Sequence, residues 1–163
     1  MSLPFQYSTV DEYVSGTILQ IQNAPESFKI LNIGKYYLRG DGDLTSEHVA
    51  SMLEHARYNP NLVEIAFHKI VVDDDTISAL TLLLGRPKKW RRVHFNSCNS
   101  EIVRVLSISC LVEHIQIRNN SCRDPEYQAL GLNFHSNHLL TKLELVEEIF
   151  RGKVSTQSLA EGL

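Results

Sequence analysis

Apolar residues recur along this chain in one spacing, L-x-x-L-x-L-x-x-N/C, five times over. Trp90, Val93 and Phe95 keep it, with Cys98 three residues further on. So do Phe28, Leu31 and Ile33; Leu62, Ile65 and Phe67; Val112, Ile115 and Ile117; and Leu140, Leu143 and Leu145. The last pattern position is Tyr36, Ile70, Cys98, Asn120 and Glu148 in turn, and only Cys98 and Asn120 match its strict form. Apolar residues at every second place predict a strand with one buried face. Leu31 to Ile65 is 34 residues, Ile65 to Val93 is 28, Val93 to Ile115 is 22, and Ile115 to Leu143 is 28. Each step leaves room for one turn and one helix before the next strand.

The intervening stretches read as helices. Thr9-Val10-Asp11-Glu12 is a capping box, and Val10, Tyr13, Val14, Ile18 and Ile21 follow as one apolar stripe, predicting a helix over 9–22 that Pro25 ends. The first strand is expected over Ser27–Ile33, then a turn at Gly40-Asp41-Gly42-Asp43. A helix over Ser46–Arg57 turns Val49, Met52, Leu53 and Ala56 inward. Asp73-Asp74-Asp75 precedes Thr76–Leu84, where negative charge suits a helix start better than a metal; Gly85 is the C-cap and Pro87 the stop. A brief helix after Asn99 or Ser100 points Ile102, Val105 and Leu106 inward. Asp124-Pro125 opens the next helix as cap and first residue, with Ala129, Leu130 and Phe134 facing the core. Another helix begins near Ser155, its apolar side forming at Leu159 and Leu163.

Five such strand–helix units resemble leucine-rich repeats, and their irregular steps resemble the intracellular, ribonuclease-inhibitor-like class. The resemblance covers Phe28 to Leu163. It implies an α/β fold, a leucine-rich-repeat solenoid of about five repeats with a curved parallel sheet on the concave side and helices on the convex side. The domain expectation is a single leucine-rich-repeat domain over 1–163, with 1–26 as an N-terminal capping helix and 27–163 as repeats, the last incomplete. Its C-terminal end is expected to be covered by further repeats or by self-association.

Charge and composition narrow the picture little. A net charge of −3 directs the chain neither to nucleic acid nor to a membrane. No apolar run approaches a membrane span, and the N-terminus lacks the features of a signal peptide. Three cysteines without metal-type spacing fit a reducing compartment, so cytoplasm is the expected location. Arg86-Pro87-Lys88-Lys89-Trp90-Arg91-Arg92 resembles a nuclear-localisation or nucleic-acid patch, but Trp90 opens a repeat strand, so half the run must pack.

No G-x-S-x-G, H-E-x-x-H, C-x-x-C or P-loop pattern occurs, and the histidines and cysteines are scattered. The expectation is a protein with no catalytic activity, cofactor or metal. What remains is the outward row of each strand. The central row is Asn32, Ala66, His94, Gln116 and Glu144; the row before it is Ile30, Glu64, Arg92, His114 and Lys142; the row beyond is Gly34, His68, Asn96, Arg118 and Val146. Partner-binding candidates are therefore Glu64, His68, Arg92, His94, Asn96, His114, Gln116, Arg118, Lys142 and Glu144. Arg92 and Arg118, taken to lie close together, favour an acidic protein surface. The functional expectation is a protein–protein interaction scaffold; the alternative is a fragment of a larger regulatory or substrate-recognition protein, a ligase adaptor or immune-type receptor.

Overall fold

A computed structural model describes residues 7–23, 26–35, 42–107 and 111–148. The element order is α1 (Val10–Asn23), β1 (Ile30–Gly34), α2 (Ser46–Ala56), β2 (Glu64–His68), α3 (Asp74–Leu84), β3 (Lys89–Asn96), a 3₁₀ helix (Ser100–Ser107), β4 (Leu111–Arg118), α4 (Asp124–Ser136) and β5 (Lys142–Val146). The strands form one sheet in chain order, and every pair is parallel. Leu31, Ile65, Val93, Ile115 and Leu143 stand in register across it. The irregular sequence steps are thus the register of the sheet.

Parallel neighbours need a crossover, and here each crossover is helical. Each helix packs on the next, α1 on α2, α2 on α3, α3 on the 3₁₀ helix and the 3₁₀ helix on α4. Helices on opposite faces of a sheet could not touch, so these form one layer. The core lies between that layer and the sheet. Leu31, Ile33, Ile65, Phe67, Val93, Phe95, Ile115 and Ile117 are all 0% exposed there. Trp90 is equally buried, and its indole N–H donates to the Leu84 carbonyl at 3.2 Å.

The 22-residue step has a specific solution. An 11-residue α-helix such as α2 spans about 16 Å. The eight residues of the 3₁₀ helix span about the same, because each rises further. The shorter linker therefore covers the same height by winding more tightly. It buries Ile102, Val103, Val105 and Leu106.

The turns after the strands repeat as well. Lys69, Ser97, Asn119 and Glu147 each sit one residue past a strand with φ of 52°, 55°, 52° and 58°. A left-handed non-glycine residue costs roughly 1–2 kcal/mol. The turn lets the ladder continue past the strand end. Lys69 N–H donates to Asn96 O at 2.9 Å, Ser97 N–H to Arg118 O at 2.8 Å and Asn119 N–H to Val146 O at 3.0 Å. Asn120 then accepts from Cys98 N–H at 2.7 Å and donates to Phe95 O at 2.9 Å. Glu148, off the repeat consensus, takes the same role with both carboxylate oxygens, accepting from Asn120 N–H at 2.6 Å and Cys122 N–H at 3.0 Å.

At the other edge α1 meets β1. The Tyr13 hydroxyl donates to Asn32 O at 2.7 Å and accepts from Gly34 N–H at 3.3 Å. Lys29 O accepts from β2-side amides of Val63 and Glu64, so by strand alternation Asn32 and Gly34 present their backbone groups on the free side. Tyr13 therefore occupies edge groups that another strand would use.

Several local expectations need adjusting. β1 begins at Ile30 rather than Ser27. Thr9 Oγ accepts from Glu12 N–H at 3.1 Å, but the Glu12 carboxylate reaches Ser8 N–H at 3.0 Å, one residue before the cap. Arg123, not Asp124, is the N-cap of α4, and Glu126 returns to its N–H at 2.9 Å. Gly85 is the C-cap of α3, as expected, with φ −71°. Asp73 does cap α3, accepting from Thr76 N–H at 2.9 Å. Pro25, Tyr36, Gly40, Asp41, Cys110 and the helix expected from Ser155 lie outside the described residues. Among the described residues, no helix is long and apolar enough to cross a membrane.

Candidate functional site

The side of the sheet away from the helices carries the three outward rows, each in register. Ile30, Glu64, Arg92, His114 and Lys142 pair in turn, as do Asn32, Ala66, His94, Gln116 and Glu144, and Gly34, His68, Asn96, Arg118 and Val146. All ten candidate residues share this open face.

A polar chain crosses three strands. Arg92 Nε donates to His114 Nδ1 at 3.3 Å. His114 Nδ1 is then an acceptor, so in the neutral ring Nε2 carries the proton. That nitrogen faces Glu144 Oε2 at 3.2 Å. Lys142 Nζ meets the other Glu144 oxygen at 2.5 Å. The Lys142 hydrogen bond, followed by that of His114, holds the Glu144 carboxyl below its ordinary range. Arg92, His114, Lys142 and Glu144 are thus brought together.

A second group surrounds His94. Its ring stands edge-on to His68, with centroids 5.0 Å apart. Asn96 Nδ2 lies 3.4 Å from His68 Nδ1. His94 and His114 point outward yet are only half-exposed, and His94 Nε2 is buried without a hydrogen-bond partner. Burial first, then the positive surroundings of His68, Arg92, His114 and Arg118, pushes His94 down to about 4. Burial lowers His68 too.

Two expectations about charge do not fit this geometry. Arg92 and Arg118 are not close together: Arg118 is in register with Asn96, four residues beyond Arg92, so their Cα atoms are about 14 Å apart. They flank His94 and Gln116, and Arg118 reaches Glu147 at 3.5 Å. Glu64, read as an outward margin residue, is 9% exposed and turned to Arg91 at 3.3 Å. Arg91 was not a candidate; the double-x of the repeat pattern, which leaves two consecutive exposed residues before Val93, was the available signal.

Other reactive groups are accounted for. Among the described residues no cluster of His, Cys, Asp or Glu could hold a metal. Burial pushes the Cys98 and Cys122 thiols up, away from thiolate chemistry. The basic run is tied down: Arg86 donates to Asn59 O at 3.2 Å, and Lys88 donates to Leu62 O and lies 4.4 Å from the Trp90 ring centroid. Burial and then Arg86 push Lys88 down to about 8.

No protein-family model and no curated protein matches this chain. Solved structures do. The Caenorhabditis elegans tropomodulin C-terminal domain superposes with a TM-score of 0.65 at 15% identity, covering 91% of this chain and 90% of that one. Leiomodin-1 actin-binding site 2 gives 0.62 at 15% identity, covering 90% and 87%. The likeness is one of fold, an α/β arrangement of leucine-rich-repeat type. It corrects the narrower resemblance drawn from the sequence: the matched folds are the tropomodulin and leiomodin domains, not the ribonuclease-inhibitor-like class. Spacing alone marks leucine-rich-repeat strands and does not name the class within them.

Proposed function

We propose that this chain is a non-catalytic protein-interaction scaffold that binds a protein partner on the open face of its sheet. In this reading the fold is a leucine-rich-repeat solenoid and the open face its concave side. Residues 1–26 form its N-terminal cap and 27–163 its repeats, in one domain. The observation that carries it is the open face itself: three registered rows, rich in polar, histidine and arginine side chains, spread over five strands with no helix against them among the described residues. Large polar side chains on rigid strands suit recognition, because little further ordering is needed on binding. One structure of this fold bears the name of an actin-binding site, which supports a protein as the kind of partner. The free thiols Cys98 and Cys122 suit a reducing compartment, and cytoplasm is the location proposed.

The test blocks the face without changing its charge. Gln116→Trp places a bulky group at the middle of the central row, and Leu132→Trp does the same on α4, where Leu132 is 61% exposed. Capture of a partner protein from cell extract is lost with Gln116→Trp and kept with Leu132→Trp. The reverse pattern moves binding to the helical layer and overturns the proposal.

A further inference from the structure

Nine outward positions on β2, β3 and β4 form a three-by-three grid with His94 at its centre. Around it stand Arg92 and Arg118, His68 and His114, the amides of Asn96 and Gln116, and an alanine. Glu64 is the one carboxylate of the grid, and Arg91 already engages it. Each neighbour is one strand across, two residues along, or both, so its Cα lies within about 8 Å of His94. The outer carboxylates are also engaged, Glu144 by Lys142 and His114, and Glu147 by Arg118. The middle of the face therefore gathers positive and proton-accepting groups, while its anions sit around the rim.

We propose that this centre is an anion subsite, taking a carboxylate from a short acidic segment of the protein partner, and that docking tightens as pH falls and the imidazoles beneath it take up protons. The inference rests on the open face being the partner's surface. An anion over the grid relieves the mutual repulsion of its cations and draws on two guanidinium groups and two amides at once. The rim decides between sources of negative charge. Glu64, Glu144 and Glu147 repel a polyanionic strand laid across the sheet, whereas a single local carboxylate fits inside them. A nucleic acid is disfavoured on that ground.

The linkage has a definite sign. Without partner, burial and cationic neighbours keep His94 neutral, and burial acts on His68 in the same direction. A bound carboxylate favours the protonated ring, so binding takes up protons and strengthens as the pH falls from about 7 to about 5, while the partner's carboxylate stays ionised above about pH 4.3. Arg91, Lys142, Glu64, Glu144 and Glu147 are the other charged groups around the same surface.

The probe is a peptide with one Glu-Glu pair in a Gly-Ser background, set beside its Gln-Gln counterpart and an eight-residue thymidylate. The reading is the NMR signals of the His68, His94 and His114 rings in the full chain. The Glu-Glu peptide is expected to raise the His94 pKa by about two units and to bind about tenfold more tightly at about pH 5 than at about pH 7.5, with the other two probes silent. Arg92→Gln with Arg118→Gln abolishes both effects. Unmoved rings, an unaltered response in the double variant, or a stronger response to the thymidylate each overturn the inference. If it falls while Gln116→Trp still blocks capture, the face remains the interface and only its choice of charge is wrong. If Gln116→Trp is also without effect, the face itself is excluded.

Discussion

The two faces of one sheet divide the work of this molecule. On the helix side Leu31, Ile65, Val93 and Ile115 are wholly excluded from water. One residue along each strand, Asn32, His94 and Gln116 point the opposite way and stay half-exposed. A period of two puts stability and, under the proposed function, recognition on alternate residues of the same strand. A change to one set should leave the other nearly untouched.

The largest effect should come from breaking the inner row. Ile115→Asp buries a charge between two neighbouring strands with no partner and should cost about 4 kcal/mol or more. Gln116→Asp, one residue further on, should stay within about 0.5 kcal/mol. Urea unfolding of the pair measures both, and equal costs would mean that the faces are misassigned.

Asn120 comes next. Asn120→Ala removes the acceptor of Cys98 N–H and the donor to Phe95 O, leaving buried backbone groups unpaired. A loss of about 2 kcal/mol follows, and Asn120→Asp, which keeps an acceptor, should recover part of it. Tyr13→Phe deletes one hydroxyl from the sheet edge and should cost about 1 kcal/mol without altering partner capture.

A pH-dependent effect sharpens the comparison on the open face. The folded pKa of His94 lies below its unfolded value, so the folded state binds fewer protons. Its contribution to stability is complete above about pH 6.5 and is lost as the pH falls toward 4. His94→Gln should flatten thermal stability across that window; an unchanged slope would assign the dependence to other groups.

The strands and their pairing could be read from spacing alone, because the middle apolar residue of each copy marks both burial and register. Chemistry outside the consensus was harder to see. Glu148 was a mismatch by residue type, yet a carboxylate with two acceptor oxygens serves two amides as well as an asparagine would. Arg123 caps α4 through its backbone, with Glu126 supplying the bond, so no feature of its side chain could announce it. The ten open-face candidates were legible as a set, since alternation fixes which way they point. Their mutual contacts were not: the separation of Arg92 from Arg118 and the turn of Glu64 toward Arg91 depend on strand register and on neighbouring side chains.

One comparison of capture with stability tests the role of the open face most directly. Arg92→Glu combined with Arg118→Glu reverses two exposed charges on the open face and touches nothing in the core. The double variant should keep the circular dichroism spectrum and melting temperature of the parent and lose its protein partner. A folded double variant that captures the partner as well as the parent would contradict the account.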